Sequence, residues 1–238
     1  MRAPVPAAFA AATAAAWSLP ALAPLVPSLC RPLGIPRTLP ADAGASDGGR
    51  RVALTFDDGP HPRGTPAVLE ALAAGGAHAT FFLIGEQVRR VPALARELVD
   101  AGHTVALHGD THRLQLRLTP RALADDLDRG HAAIAEATGV APHWYRPPYG
   151  IFSPAGLALV RARGWAPLLW SRWGHDWRLH RTPRQIATEL TARLAPGDVL
   201  LLHDADDYSQ PGSWQRTARA LPAVLDEIAR RELIAAAL

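Results

Sequence analysis

The chain has 238 residues, a formal net charge of +3 and one cysteine, Cys30. This length suits one large domain with a full hydrophobic core, and a single cysteine excludes an internal disulfide framework and a cysteine-rich metal site. The basic side chains are all arginine, and no run of them alternates with aromatic residues, so nucleic-acid binding has no support in the sequence.

The N-terminal residues have the composition of an export or anchoring segment. Residues 3–30 carry no charged side chain and follow one basic residue, Arg2. Within them, Ala8–Leu19 has the length of a signal-peptide core, and Ala41-Asp42-Ala43 is a small-x-small cleavage site farther along the chain. An uncleaved membrane anchor is the first alternative, although several prolines interrupt the span. A disordered leader rich in Ala and Pro is the second.

These features predict three parts of the chain. Residues 1–30 are expected to be a signal peptide or membrane anchor, residues 31–50 a linker, and residues 51–238 the folded domain. The protein is then expected to work outside the cytoplasm, secreted or attached to the membrane through its N-terminus.

From residue 51 onward, strand-like and helix-like segments alternate. The predicted strands span residues 52–56, 79–85, 103–108, 144–146, 166–171 and 198–203. The predicted helices span residues 66–75, 88–101, 120–138, 154–163, 183–194 and 214–232. This alternation predicts an α/β fold with a parallel sheet, for which an open doubly wound sheet and a closed barrel are both compatible. No Gly-x-Gly-x-x-Gly follows the first strand, so dinucleotide binding has no support.

Polar side chains follow the predicted strands at their carboxyl ends, where parallel barrels place reactive groups. The first strand ends in Asp57-Asp58, a pair of carboxylates that repel each other unless a cation or a proton relieves them. The other polar groups at strand ends or in the loops after them are His108, Arg146, Asp176 and His203. The coincidence of five such positions predicts one shared site.

His108 and a second histidine form a pattern typical of metal ligands. His108 and His112 are four residues apart just after a strand, so they face the same way if the loop turns into a helix. With Asp58 they would form a two-histidine, one-carboxylate site with open positions, as in catalytic zinc sites. Cobalt and nickel are compatible with the same ligands. A pair of surface histidines is the alternative.

Ordinary structural roles also remain open for the other candidates. Arg146 has the alternative of a surface ion pair, His203 that of a hydrogen-bonded core residue, and Asp176-Trp177 that of a turn. The position of Arg146 before Pro147-Pro148-Tyr149-Gly150 favours a role in orienting a carboxylate of the site.

Five short motifs in order give the chain a recognisable likeness. They are Thr55–Pro60, His108 with His112, Arg146–Gly150, Asp176-Trp177 and Leu201-Leu202-His203. In this combination the chain resembles the NodB-homology polysaccharide deacetylases, carbohydrate esterase family 4, over about residues 51–232. The resemblance implies a distorted (β/α) barrel of about seven strands with the active site at the carboxyl ends of the strands.

The resemblance also implies a metal site and a base. Asp58, His108 and His112 would hold a divalent cation, with zinc expected and cobalt or nickel as alternatives. Asp57 would be the general base that takes a proton from the attacking water, and Arg146 would orient Asp57 and keep it ionised.

The remaining implied roles concern the leaving group and the acetyl pocket. His203 would be the general acid that protonates the leaving amine, with Asp176 raising its pKa. The backbone N–H of Tyr149 would stabilise the oxyanion, and Trp177 and Leu201 would line a pocket for the acetyl methyl group.

Two positions depart from the family pattern. Trp173 stands where the fourth motif often has an additional aspartate, and Gly109 follows His108 where Ser or Thr is common. Neither replaces a predicted base, ligand or acid, so the departures bear on the groups around the site and on the shape of the substrate groove.

The function expected from the sequence is metal-dependent removal of N-acetyl groups from amino sugars of an extracytoplasmic polysaccharide, by a monomer. The alternatives are an O-acetyl esterase acting on a polymer such as xylan, a catalytically silent sugar-binding module, and a cytosolic amidase for a small molecule.

Overall fold

The computed structural model describes residues 18–39 and 49–238, which form a curled parallel sheet surrounded by helices. The strands are β1 (Arg51–Asp57), β2 (Thr80–Ile84), β3 (Thr104–Gly109), β4 (Trp144–Tyr145), β5 (Ala166–Pro167), β6 (Arg172–Trp173), β7 (Val199–His203) and β8 (Ile234–Ala236). From residue 49 onward, the α-helices are α1 (Gly64–Ala74), α2 (Gly85–Arg90), α3 (Pro92–Asp100), α4 (Pro120–Thr138), α5 (Pro154–Ala162), α6 (Pro183–Thr191) and α7 (Ser213–Arg230). The predicted α/β class is therefore confirmed.

The sheet topology brings the functional strand ends together. Seven strands run in the order β5-β4-β3-β2-β1-β7-β6, all pairs are parallel, and β8 adds to the first half of β1. The register sets Asp57 at the end of β1 opposite both Phe82 on β2 and His203 on β7. Because every strand points the same way, their carboxyl ends lie at one rim of the half-barrel.

Local sequence signals explain most element boundaries. Thr119 caps α4 by accepting a hydrogen bond from the backbone N–H of Ala122, and Gly139 ends the helix in the left-handed region with φ 73°. Thr182 and Gln185 form a capping box at the start of α6. The central strands β1, β2 and β7 are almost entirely buried, as the apolar sequence runs predicted.

Two predicted segments were wrong, and one strand was not predicted. The segment 88–101 is two helices rather than one, because Val91 leaves the helical region before Pro92 and Pro92 starts a new helix. The strand predicted at 166–171 is limited to the two residues of β5, and the equally short β6 begins just after the predicted segment. The strand β8 was not predicted, since its Ala-rich sequence carries no strand signal.

Residues 18–39, which the sequence assigned to the leader and the linker, lie against the domain. Ala23, Cys30 and Ile35 are buried in the same hydrophobic core as β1 and β7. After Ile35, this segment runs beside the residues that join β5 and β6, where the backbone N–H of Leu169 donates to the carbonyl of Pro36 over 2.9 Å. It next pairs with the residues that precede β7.

Residues 1–17 and 40–48, which include the Ala41-Asp42-Ala43 cleavage site, lie outside the described residues. Within residues 18–39 and 49–238, no helix has the length and apolar character needed to cross a membrane.

Candidate active site

The end of β1 carries a carboxylate that is held by a buried arginine. Asp57 Oδ1 accepts a hydrogen bond from Arg146 Nη1 over 2.7 Å, and the Arg146 side chain is fully buried. The same guanidinium donates to Thr55 Oγ1 and to the backbone carbonyls of Leu168 and Leu169. These bonds satisfy a buried cation in one orientation, so one oxygen of Asp57 is fixed and the other is left facing the site.

The next residue turns toward two histidines. Asp58 has φ 80°, and its Oδ1 lies 3.4 Å from His108 Nε2 and 3.3 Å from His112 Nε2. Burial alone would raise the pKa of Asp58, but the two adjacent histidines and the positive charge of His203 hold that pKa well below its usual range. The three side chains therefore form a compact, negatively charged cluster that can bind a metal ion.

This cluster fits a tetrahedral divalent ion. Ligand atoms about 2.1 Å from a zinc ion at tetrahedral angles lie about 3.4 Å apart, close to the separations between Asp58 and the two histidines. His108 Nδ1 is 2.7 Å from the backbone carbonyl of Arg146, to which it donates, so its Nε2 is left free to bind a metal. No residue in the described ranges donates a hydrogen bond to Asp58 Oδ1, which is consistent with an oxygen that binds a metal ion.

A second pair of charges lies across the rim at the end of β7. His203 Nδ1 is 3.0 Å from Asp176 Oδ1, and the backbone N–H of His203 donates to Asp176 Oδ2. Asp176 is fully buried and also accepts a hydrogen bond from Thr217 Oγ1 over 2.7 Å. Burial opposes the charge on His203, yet the charge and hydrogen bond of Asp176, with Asp58 and Asp57, raise its pKa to about 10. A cation bound at Asp58 would reduce that increase.

Both pairs of charges adjoin one cavity of about 300 Å³. Of the predicted site residues, the cavity is lined by Asp57, Asp58, His108, His112, Tyr149, Trp177, Leu201 and His203. Arg146 and Asp176 lie directly behind it, bonded to Asp57 and His203. The structure thus brings together all the residues that the sequence selected. Their chemical roles follow from this placement only as a proposal.

The walls of the cavity are mainly aromatic. Trp177 packs edge-on against His203 at 5.2 Å, and Trp173 lies beside both Trp170 and Trp177. Tyr149 has φ 61°, an uncommon conformation for a side chain of this size, and its ring is 57 % exposed. Trp173 therefore adds apolar surface to the site at the place where the family pattern often has a carboxylate.

The glycine after Asp58 is required by a close approach. A Cβ on Gly59 would collide with the carboxylate of Asp204, which is fully buried and accepts a hydrogen bond from Thr65. Burial raises the pKa of Asp204 to about 7. The turn that aims Asp58 into the site therefore packs directly on the residue that follows His203.

A second cluster of possible metal ligands lies near the rim, but its histidine is in a tautomer that cannot bind a metal ion. It consists of His61, Asp206 and Asp207. The backbone N–H of Gly64 donates to His61 Nδ1 over 2.8 Å, so the proton is on Nε2, which faces Asp206 at 3.4 Å. This imidazole has no free lone pair for an ion and serves as a hydrogen-bond donor.

The sequence did not identify two residues that line the cavity, Tyr208 and Ser209. Tyr208 is the more prominent, because its ring stacks on His112 with centroids 4.3 Å apart. It lies in the long loop between β7 and α7, which has no strand-end signal. Only its position a few residues after His203 could have suggested a place in the site.

Comparisons with known proteins agree with this geometry. The family model for polysaccharide deacetylases matches residues 44–167. A chitooligosaccharide deacetylase of Bradyrhizobium sp. (strain ANU 289) is 37% identical over 195 residues, covering 79% of this chain and 89% of the relative. A peptidoglycan-N-acetylglucosamine deacetylase of Bacillus cereus is 33% identical over 183 residues, covering 76% of this chain and 82% of the relative.

A solved structure extends the likeness to the fold. The family 4 carbohydrate esterase from Streptomyces lividans, determined in complex with acetate, superposes with a TM-score of 0.70 at 32% identity. The match covers 78% of this chain and 91% of that structure. The predicted barrel of the NodB-homology type is therefore confirmed. The chain belongs to the polysaccharide deacetylase family, the carbohydrate esterases of family 4.

Proposed function

We propose that the protein is a metal-dependent deacetylase that removes N-acetyl groups from amino sugars of an extracytoplasmic polysaccharide. The observation that carries the proposal is that two adjacent carboxylates, Asp57 and Asp58, have different partners. Asp58 faces the two histidines, whereas Asp57 is tied to Arg146 and lies 3.9 Å from His108 through its other oxygen. One carboxylate is available to an ion and its neighbour to a proton.

Asp58, His108 and His112 would hold the cation, and zinc fits the donor set best, with cobalt and nickel as alternatives. A divalent ion supplies a Lewis acid that polarises a carbonyl oxygen and acidifies water.

In the first step, Asp57 accepts a proton. Its Oδ1 is occupied by Arg146, so Oδ2 accepts the proton of the water that attacks the acetyl carbonyl carbon. Arg146 holds Asp57 in one orientation, which places the free oxygen toward the cavity. The backbone N–H of Tyr149, at the rim of the cavity, is the proposed donor to the oxygen that becomes negative.

The second step is protonation of the leaving amine by His203. Asp176 holds the imidazole through Nδ1, so the proton on Nε2 is directed into the cavity. When the C–N bond breaks, the amine takes this proton, and the products are acetate and a free amino sugar. Trp177 and Leu201 border the cavity beside His203, and this is the proposed place for the acetyl methyl group.

The substrate class is supported by the relatives named above, which are deacetylases of chitooligosaccharide and peptidoglycan. An amide is favoured over an ester because the site has a carboxylate-paired acid, which an amine leaving group needs more than an alcohol does. O-acetyl esterase activity on xylan is the alternative, and a silent sugar-binding module would have no need for the paired base and acid.

Acetate release by the full chain tests the proposal. Chitin oligomers, peptidoglycan fragments, poly-N-acetylglucosamine and acetylated xylan are assayed with and without a chelator, followed by readdition of zinc, cobalt or nickel. We expect release from an N-acetylated glycan, loss with the chelator and recovery with the metal. Activity that persists after complete metal removal, or release from acetylated xylan alone, would contradict the proposal.

An extracytoplasmic location is part of the same proposal. It is supported by the charge-free residues 3–30 and by a polymeric substrate. The buried contacts of Ala23, Cys30 and Ile35 favour retention of this segment over cleavage at Ala41-Asp42-Ala43, because cleavage there would strip these side chains from the core. Cell fractionation with N-terminal sequencing tests this. Intact protein in the soluble cytosol would contradict it and would support the small-molecule amidase instead.

A further inference from the structure

The two histidines of the metal cluster are supported in different ways. His108 Nδ1 donates to the carbonyl of Arg146 over 2.7 Å, the usual arrangement that fixes the ring of a metal-binding histidine. His112 Nδ1 is buried, and none of the residues in the described ranges makes a hydrogen bond to it. The plane of the His112 ring must therefore be held by other contacts.

Aromatic side chains supply those contacts. The ring of Tyr208 stacks face to face on His112, with centroids 4.3 Å apart and planes within 10°. Tyr149 approaches from another side, with a centroid distance of 4.6 Å and an edge-on angle of 68°. A face contact and an edge contact together restrict rotation of the imidazole, and Nε2 then faces Asp58 at 3.3 Å.

Tyr208 is itself anchored across the rim. Its hydroxyl donates to Glu86 Oε1 over 2.6 Å and accepts from Gln87 Nε2 over 3.1 Å, both on α2. The backbone N–H of Glu86 donates to the carbonyl of Asp110, in the loop that carries His112. The loop after β7, the helix after β2 and the loop after β3 are thus tied together at one point.

We propose that Tyr208 is a positioning residue for metal binding: its ring, anchored by Glu86 and Gln87, holds His112 in the orientation that faces Asp58. The inference rests on the metal site of the proposed function and adds a residue that belongs to none of the five motifs. It also explains why the loop after β7 reaches back over the cavity as far as α2.

Metal affinity tests the inference independently of catalysis. The full-length protein is stripped of metal and titrated with cobalt, followed by visible absorption, and zinc affinity is measured by competition with a chromophoric chelator. We expect Tyr208→Leu to weaken zinc binding by about 10–100-fold, as removal of an outer partner of a metal-bound histidine does. We expect Tyr208→Phe, which keeps the stacked ring, to bind within about threefold of the wild type.

Asp207→Asn is the matched control. Asp207 is in the same loop and contacts α2 through Arg90 at 3.9 Å, so the variant perturbs the loop without removing the stacked ring. We expect wild-type zinc affinity from it. Tyr208→Met is made alongside Tyr208→Leu so that the result does not depend on the folding of one variant, and circular dichroism of the metal-free proteins checks both.

The outcomes separate this inference from the proposed function. Wild-type protein that binds neither ion overturns the metal-dependent function and this inference with it. Wild-type protein that binds zinc, with equal affinity in a folded Tyr208→Leu or Tyr208→Met variant, overturns this inference alone. An equal loss in Asp207→Asn also overturns it, because loop order rather than stacking would then set the affinity.

Discussion

The two sides of the active site use buried charge pairs of opposite polarity. On the β1 side, a carboxylate that must accept a proton, Asp57, is held by a buried guanidinium. On the β7 side, an imidazole that must donate a proton, His203, is held by a buried carboxylate. In each pair the charged partner behind the cavity fixes the orientation of the group facing it, and Asp176 also raises the pKa of His203.

The two sides also differ in how their supporting charge is satisfied. Arg146 is bonded to a threonine hydroxyl and two backbone carbonyls besides Asp57. Asp176 is bonded to the backbone and ring of His203 and to Thr217 on a neighbouring helix. The base side is therefore rigid within the barrel, whereas the acid side depends on a contact with α7. The acid side is therefore expected to change more readily than the base side when residues outside the sheet are substituted.

The largest effect is expected from the base. Asp57→Asn removes the proton acceptor while keeping the shape of the side chain, so we expect kcat/KM for the N-acetylated substrate to fall by about 10²–10⁴-fold. Metal content should stay at the wild-type level, because Asp57 is outside the metal cluster. Asp58→Asn is the matched control and should lose metal as well as activity. Near-normal turnover of Asp57→Asn would contradict the role of Asp57 as the base.

The acid should give a smaller effect that depends on the leaving group. We expect His203→Ala to lower kcat/KM for amide substrates by about 10²-fold. The loss should be milder for an acetyl ester, because an alcohol leaving group needs less help from an acid. Parallel assays on an N-acetylated glycan and an acetylated sugar ester measure the difference. Equal and small losses on both substrates would argue against the acid role.

The pH profile should report the pair on the acid side. Because His203 must be protonated and its pKa is raised above 6.5 mainly by Asp176, activity should persist into alkaline solution and fall as that pKa is passed. Asp176→Asn removes the main charge that raises the pKa, so the alkaline limb should move to lower pH. Profiles of kcat/KM for both proteins measure the shift. An unchanged limb would show that Asp176 does not set the protonation of His203.

The same raised pKa makes folding stability depend on pH. A group whose pKa is higher in the folded state contributes fully below its unfolded value, here about 6.5, and the contribution is lost as the pH rises toward about 10. Unfolding experiments on wild type and Asp176→Asn should therefore diverge most at neutral and lower pH and converge at alkaline pH, provided that both carry the same metal content.

The smallest effect is expected from the contact that distinguishes the acid side. Thr217→Val removes one hydrogen bond to Asp176, worth about 0.5–1.5 kcal/mol, so kcat/KM should fall by roughly three- to tenfold. The alkaline limb should move in the same direction as in Asp176→Asn but by less. Thr217→Ser, which keeps the hydroxyl, should restore the wild-type profile. A wild-type profile in Thr217→Val would show that α7 does not tune the acid.

Much of the fold was predictable because its signals are local. Apolar runs such as that in β7, the cap at Thr119 and the stop at Gly139 depend on a few neighbouring residues. The selection of Asp57, Asp58 and His108 was also local, since a parallel sheet brings all carboxyl strand ends to one rim whatever the loops do.

By itself, then, the sequence determined the α/β class, the order of the strands along the chain and the polar groups at the rim. Only the tertiary structure decided which groups pair across it. The bond between Thr217 and Asp176, the stacking of Tyr208 on His112 and the packing of residues 18–39 on the core join distant segments. The reason is that such contacts depend on loop conformations and long-range packing, which leave no periodic pattern in the chain.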